Sequence, residues 1–456
     1  MERPAALIAS VSGARGVVGE GLTVPVASGL AAALGTLLGP GTIVVGRDSR
    51  VSGPVMQDAV VAGLRSVGCD ATVIGVVATP TVQNMVRELG GAGGIAVTAS
   101  HNPADWNALK FIGGDGCFLL GDAIAELLRV FDEDRFAFRR YDGLGRARTD
   151  DSATERHLTR ILALPYLDRD AVQRRKLRVV VDCANGAGGV ILPELCRRLG
   201  AEVVEMHCQP TGLFARGPEP VAGHLHELCA RVVDLGADVG LATDPDVDRL
   251  SLVTGAGRAL GEELTLPLAA QFVLKRTGGG AIVTNVSTSM AIEAVAQRFG
   301  GTVHRTPVGE AHVVDGIRRH QAVIGGEGNG GVILPAVGLA RDASTGAAIV
   351  LQHLTDWAGT LESLAETIPR TVMVKAKLPA GSVEPDRIAA RLADEQPDGR
   401  IDRTDGVKVL WESSWVHLRR SNTEPIIRVI AEARESGEAQ RLVERAIALG
   451  TEVSRS

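Results

Sequence analysis

Four short stretches hold residue types that could do chemistry together. The first, Val97-Thr98-Ala99-Ser100-His101-Asn102-Pro103, follows the apolar run Gly94-Ile95-Ala96-Val97. Ser100 therefore stands at a strand exit, on a turn closed by Asn102-Pro103. A hydroxyl there can carry a phosphoryl group if cations surround it, or it can simply cap a turn. The second is Thr243-Asp244-Pro245-Asp246-Val247-Asp248-Arg249, after the apolar run Ala237–Ala242. On an extended loop its alternate carboxylates share one side and offer hard oxygens to one divalent cation, Mg²⁺; without a cation they would repel. An EF-hand is excluded by register, because Arg249 stands where that loop needs glycine and Gly255 where it needs glutamate. A phosphatase with an aspartyl nucleophile also places Asp-x-Asp at a strand end, so that reading stays open.

The third stretch, Gly326-Glu327-Gly328-Asn329-Gly330-Gly331, lets backbone approach a ligand closely, with Glu327 and Asn329 as a carboxylate and an amide for sugar hydroxyls or an amine. It lacks the early βα context of a dinucleotide-binding turn. The fourth, Arg419-Arg420-Ser421-Asn422-Thr423-Glu424-Pro425-Ile426-Ile427-Arg428, gathers guanidinium, hydroxyl and amide donors into a phosphate clamp. Supporting cations come from Arg15 in Ser12–Gly16, from Arg47 and Arg50 in Gly46–Arg50, and from Lys110, a candidate proton shuttle or phosphate partner near the serine turn.

The elements that must position these loops alternate. Apolar runs over Ala5–Ala9, Thr42–Val45 and Ala71–Val77 interleave with helical patterns over Val24–Leu38 and Ser52–Val67. This βαβα rhythm predicts an open α/β sheet with its ligand loops at the strand ends. It restarts with Leu177–Asp182, a helix over Ala187–Leu199 and Glu202–Met206, and again with helical Leu264–Lys275, Ala281–Thr284, helical Ser289–Phe299 and Ala322–Gly325. The tail mixes strands Thr371–Lys377, Val407–Leu410 and Ser414–Leu418 with helices over Asp386–Ala393 and Glu438–Leu449, as in a small α+β unit. The predicted units are 1–150, 151–256, 257–368 and 369–456.

Composition narrows the partners. The chain of 456 residues is 45% hydrophobic and 22% charged, with a net charge of −6 and no basic block. Neither a nucleic-acid footprint nor a membrane-surface patch is present, and the scarcity of Tyr and Trp leaves few platforms for stacking bases. The six cysteines show no CxxC spacing and read as buried thiols of a reducing compartment. The opening Met1-Glu2-Arg3-Pro4 lacks the pattern of a secretory leader, so a soluble cytoplasmic protein is expected. Oligomeric state has no signature.

Taken together and in order, TASHNP, DPDVDR, GEGNGG and RRSNTEPIIR resemble the motifs of the α-D-phosphohexomutase family, a resemblance that covers nearly the whole chain. It implies three related α/β domains with mixed sheets and a smaller C-terminal α+β domain around a central cleft. Ser100 would be the phosphoserine, and Asp244, Asp246 and Asp248 would hold Mg²⁺ with a phosphoserine oxygen. Arg15 and Arg249 would support the transferring phosphate, with His101 and Lys110 as proton-transfer candidates. Glu327 and Asn329 would face the sugar, while Arg419, Ser421, Asn422, Thr423 and Arg428 would hold the other phosphate. Phosphate would move between C6 and C1 of a hexose through a 1,6-bisphosphate, which also serves as activator, with the C-terminal domain closing to exclude water.

Two departures are visible. Asn329 and Gly331 replace the usual serine and histidine of the sugar loop, so His312 or His101 would have to supply the missing imidazole. Arg420 replaces a proline in the phosphate loop. WNALK together with GEGNGG resembles the archaeal-type phosphoglucosamine mutases and their bacterial relatives. That points to glucosamine 6-phosphate, with Glu327 as a partner for its ammonium and a phosphomannomutase/phosphoglucomutase activity as the alternative.

Overall fold

Continuous Val/Ile runs become strands covered on both faces, and in three successive sheets they pair in the same order. The structure is a computed structural model describing residues 3–10, 13–381, 384–396, 398–420 and 426–455. The first sheet contains β1 (Ile8–Ser10), β2 (Gly13–Val17), β3 (Thr42–Arg47), β4 (Asp70–Val76), β5 (Gly93–Val97), β6 (Trp106–Gly113) and β7 (Ala147–Thr149). At its centre β3 is parallel to β4 and β5, while β6 turns back antiparallel on β5. The second sheet repeats this with β8 (Arg178–Asp182), β9 (Glu202–Met206), β10 (Val239–Thr243) and β11 (Leu250–Thr254). The third does so with β12 (Gly280–Asn285), β13 (Gly301–Thr306), β14 (Ile324–Glu327) and β15 (Gly331–Ile333). In each, the connection from the third strand to the returning fourth carries one of the chemical loops: Ser100 after β5, the aspartates after β10, and Glu327 with Asn329 at the β14–β15 hairpin.

The last sheet is different. Strands β16 (Val372–Pro379), β17 (Arg400–Asp402), β18 (Val407–Leu410), β19 (Ser414–Arg420) and β20 (Ile426–Ala433) pair antiparallel throughout. Helices Pro385–Glu395 and Ser436–Arg455 share its apolar core through Ile388, Leu392, Leu442 and Leu449. Its seam with the third sheet is polar. Lys408 Nζ donates to Val286 O at 2.7 Å, Val308 N to Asp405 Oδ2 at 2.9 Å, and Met290 N to Glu432 Oε2 at 2.8 Å. The second and third units, by contrast, share one apolar cluster built around the helix Ala343–Trp357.

Three expectations change in detail. The basic stretch around Arg15 is strand β2, hydrogen-bonded to β6, because Ala14–Val17 pairs in register with Trp106–Leu109. The helix expected over Ala187–Leu199 is a short 3₁₀ turn, Ala187–Val190, followed by an α-helix from Leu192 in which Pro193 occupies the first turn. The strand expected at Ala322–Gly325 runs from Ile324 to Glu327, which brings Glu327 into the sheet.

Candidate functional site

Ser100 leaves β5 in the left-handed region, at φ 49°, where a residue other than glycine is strained. The sequence holds it there with a buried arginine. Arg50, fully buried, donates to the carbonyls of Ser100 (2.7 Å), Asn102 (2.7 Å) and Trp106 (2.9 Å), and also to that of Pro103. Asp48 accepts from Arg50 Nε at 3.1 Å and from Thr98 Oγ1 at 2.6 Å. Arg50 is thus a brace for the serine loop and does not face the cleft.

The brace aims the Ser100 hydroxyl across to the second unit. Ser100 Oγ donates to Asp244 Oδ2 at 3.0 Å, and His101 Nδ1 lies 3.4 Å from Ser100 Oγ. Asp244, Asp246 and Asp248 are all fully buried, with one ligand atom from each within 4.8 Å of the others. Val247, between them, is also left-handed at φ 65°, an unusual conformation for a β-branched residue. Burial, together with Asp248 and Asp246, pushes the Asp244 carboxyl well above the usual range. Burial is the largest influence on Asp246 and opposes its ionisation, but Lys110 together with hydrogen bonds from Asp244 and Thr79 holds that carboxylate below its usual range. Burial alone would lower the Lys110 ammonium, which Asp246 at 2.7 Å and Asp248 at 3.5 Å keep charged.

The triplet fits a divalent cation on a structural test. Asp246 Oδ1 and Asp248 Oδ1 are buried with no hydrogen-bond partner, an arrangement that costs free energy unless a cation takes those lone pairs. The cations around the serine are similarly incomplete. Arg15 and Arg249 each retain a buried Nε–H without a hydrogen-bond partner, although Arg15 reaches Asn102 Oδ1 at 3.3 Å and Arg249 reaches Glu219 at 2.7 Å. Donors left over in this way suit an added anion. Arg249, then burial, drives the His101 imidazolium down to about 2, so that ring is neutral near pH 7.

One cleft of about 320 Å³ collects side chains from all four sheets. Ser100, His101, Lys110, Arg15, Arg249, Glu327, Asn329, Arg419 and Arg428 all line it, and so does His312. Arg419 and Arg428 are directly opposed on β19 and β20. Like charges so placed repel, and Asp405, accepting from Arg419 Nε at 2.9 Å, offsets part of that repulsion. Ser421, Asn422 and Thr423 lie outside the described residues. Arg420 pairs with Glu384 at 3.1 Å and is not among the residues lining the cleft.

Several lining residues carry no motif. Arg341 is the centre of the cleft wall: its guanidinium reaches Asp248 Oδ2 at 2.6 Å, Glu327 Oε2 at 2.7 Å and Glu310 Oε2 at 3.0 Å. It occupies space that only glycine at 331 leaves, since a Cβ there would come within 2.4 Å of Arg341 Cδ. Glu327 Oε1 accepts from Asn285 Nδ2 at 2.7 Å and Gly309 N at 3.0 Å, so the carboxylate expected to meet an ammonium is already committed on both oxygens. Glu263 and Lys375 complete the wall at 3.3 Å from one another. The only sequence signal for Arg341 is the Arg341-Asp342 pair ahead of an apolar stretch, and Glu263 has none beyond its Gly-Glu-Glu turn.

Among the described residues no helix is long and apolar enough to cross a membrane, and all six cysteines are free thiols. Four family models match in succession: the phosphoglucomutase/phosphomannomutase alpha/beta/alpha domain I over residues 7–138, domain II over 155–257, domain III over 261–372, and the C-terminal domain over 373–449. A phosphoglucomutase/phosphomannomutase of Thermococcus kodakarensis is 36% identical over 454 residues, covering 96% of this chain and 97% of that one. A probable phosphoglucosamine mutase of Methanopyrus kandleri is 37% identical over 436 residues, covering 94% and 95%. The crystal structure of a phosphoglucomutase/phosphomannomutase family protein from Burkholderia thailandensis superposes with a TM-score of 0.86 at 27% identity, covering 100% of this chain and 98% of that one.

Proposed function

The chain belongs to the phosphoglucomutase/phosphomannomutase family, and we propose that it moves a phosphoryl group between C6 and C1 of a hexose through Ser100, with glucosamine 6-phosphate as the preferred substrate. The observation that carries this reading is the Ser100 hydroxyl 3.0 Å from Asp244, above a carboxylate triplet and beside arginines with unused N–H donors. A carrier serine needs this combination. Its phosphoryl group brings about two negative charges near neutral pH, which nearby cations must offset in the resting enzyme and at a loose transition state.

Asp244, Asp246 and Asp248, with an oxygen at Ser100, would hold Mg²⁺, which when bound supplies charge neutralisation at the phosphoryl oxygens. Arg15 and Arg249 grip the transferring group through their spare donors. The Ser100 Oγ–P bond breaks as a bond forms from phosphorus to a sugar hydroxyl oxygen. Of the two proton-transfer groups in the same cleft, the neutral His101 imidazole takes the hydroxyl proton and the charged Lys110 ammonium returns one to Ser100. The resulting 1,6-bisphosphate turns round, and its other phosphate goes back to Ser100. Arg419 and Arg428, with Ser421, Asn422 and Thr423, must therefore accept either phosphate in turn, so they read phosphate rather than sugar. Glu327 and Asn329 position the ring, and the enzyme acts as a soluble cytoplasmic protein on small sugar phosphates.

The test is a parallel measurement of kcat/KM for glucosamine, glucose and mannose 6-phosphates with Mg²⁺ and a trace of the matching bisphosphate. Preference for glucosamine 6-phosphate is expected. Equal or better rates with glucose or mannose would make the enzyme a broad phosphohexomutase.

A further inference from the structure

If the enzyme prefers an amino sugar, some acceptor in the cleft must distinguish an ammonium from a hydroxyl. Glu327 is poorly suited, because four donors already surround it: Asn285, Gly309, Arg341 and, at 3.5 Å, Asn329. Glu310 is similarly taken by Gln83 and Arg341, each at 3.0 Å. Glu263 differs. It enters the third unit from the turn before the helix Thr265–Thr277, and its carboxylate lies directly over the sugar loop. A Cβ at residue 328 would fall 2.1 Å from Glu263 Oε2, so the carboxylate occupies the room that Gly328 leaves between Glu327 and Asn329. Its own hydrogen bonds are long, with Lys375 Nζ and Ser289 N both at 3.3 Å.

Charge at this end of the cleft is out of balance. Glu262 and Glu432 both act on the Glu263 carboxylate here, and Lys375 is the ammonium that faces Glu263 and Glu262. Burial, against Lys375, raises the Glu263 carboxyl to about 7, the mark of a carboxylate whose charge lacks a full partner. An incoming ammonium would supply that partner, whereas a hydroxyl would not.

Building on the mutase reading above, we infer that Glu263 is a specificity-determining residue. Its carboxylate, seated over Gly328, accepts from the ammonium of an amino-hexose phosphate. The glycine at 328 is thereby part of the same device, since any side chain there displaces the carboxylate. Lys375 holds Glu263 from the C-terminal sheet and sets its position without reading the sugar.

The experiment compares kcat/KM for glucosamine 6-phosphate with that for glucose 6-phosphate in the full-length enzyme and in Glu263→Gln, Gly328→Ala and Lys375→Gln. Glu263→Gln is expected to lower the glucosamine-to-glucose ratio by about tenfold or more, the usual loss when a charged hydrogen bond becomes a neutral one. Gly328→Ala keeps the charge and moves it, and should lower the ratio in the same direction, which covers the case of a poorly folded Glu263→Gln. Lys375→Gln should leave the ratio at or above the wild-type value. An unchanged ratio in both Glu263→Gln and Gly328→Ala overturns the inference, even if both sugars slow equally, since that is what loss of a tether to the C-terminal sheet would produce. A wild-type enzyme inactive on every hexose phosphate would be a separate result, removing the mutase reading and this inference with it.

Discussion

The loops after the third strand of the first two sheets and the loop at the same place in the third sheet have solved opposite problems. At Ser100 and at the aspartates the backbone is strained, at φ 49° for Ser100 and 65° for Val247, and Asp246 Oδ1 and Asp248 Oδ1 are buried without hydrogen-bond partners. At Glu327 the backbone turns on glycines and both carboxylate oxygens are hydrogen-bonded. One topology, used three times, yields two strained loops that meet through Ser100 and Asp244 and one whose carboxylate is fully hydrogen-bonded. Reactivity sits where bonding capacity is left over, and positioning sits where it is used up.

That contrast separates mutations that stop chemistry from mutations that loosen the fold. The largest effect is expected from Ser100→Ala, which should lower turnover by at least about 10⁴-fold, as nucleophile removal does, while sugar-phosphate binding measured by calorimetry persists. Full activity in that variant would remove the serine from the mechanism. Next comes Asp246→Asn, with a loss of about 10²–10³-fold and an altered Mg²⁺ dependence of rate. An unchanged metal dependence would take the aspartate loop out of the site.

The third loop should respond differently. Arg341→Met leaves Asp248, Glu310 and Glu327 facing one another without their shared cation, and the fold should lose about 3 kcal/mol in denaturant unfolding. Unfolding free energy equal to wild type would show that the three carboxylates do not depend on Arg341.

The smallest effect is a pH dependence at Glu263. Its carboxyl is raised by burial from the ordinary 4.5 to about 7 in the folded state, so between those values the native protein binds more protons than the unfolded chain. Its contribution to stability is complete below pH 4.5 and declines as pH rises through 7. Glu263→Gln should flatten that part of the Tm–pH curve, and a curve of unchanged slope would contradict the assignment.

Much of this was legible in the chain. The helix over Val24–Leu38 and the strands Val407–Leu410 and Ser414–Leu418 fall where periodicity puts them. Ser100, the aspartates, Glu327 and the Arg419–Arg428 pair stood out because each sits in a local cluster of like chemistry. Arg341, Glu310 and Glu263 did not, because each is a single charge in an ordinary stretch whose partners arrive from distant elements. Arg341 meets Asp248 across 93 residues, and Gln83 meets Glu310 across 227. Arg50 lies within a recognisable basic loop, yet its role was hidden. A buried guanidinium binding four carbonyls and an exposed one awaiting phosphate read the same in sequence. The helix Ala343–Trp357 is covered along most of its length, so it presents no polar stripe to mark it.

The most direct test of the central claim is to follow the phosphoryl group itself. Enzyme labelled with radioactive hexose 1,6-bisphosphate in Mg²⁺ should carry the label on Ser100 by peptide mapping, resist hydroxylamine, and pass the label to added sugar 6-phosphate. Label on Asp244, released by hydroxylamine and lost to water rather than sugar, would contradict the account and identify an aspartyl phosphatase instead.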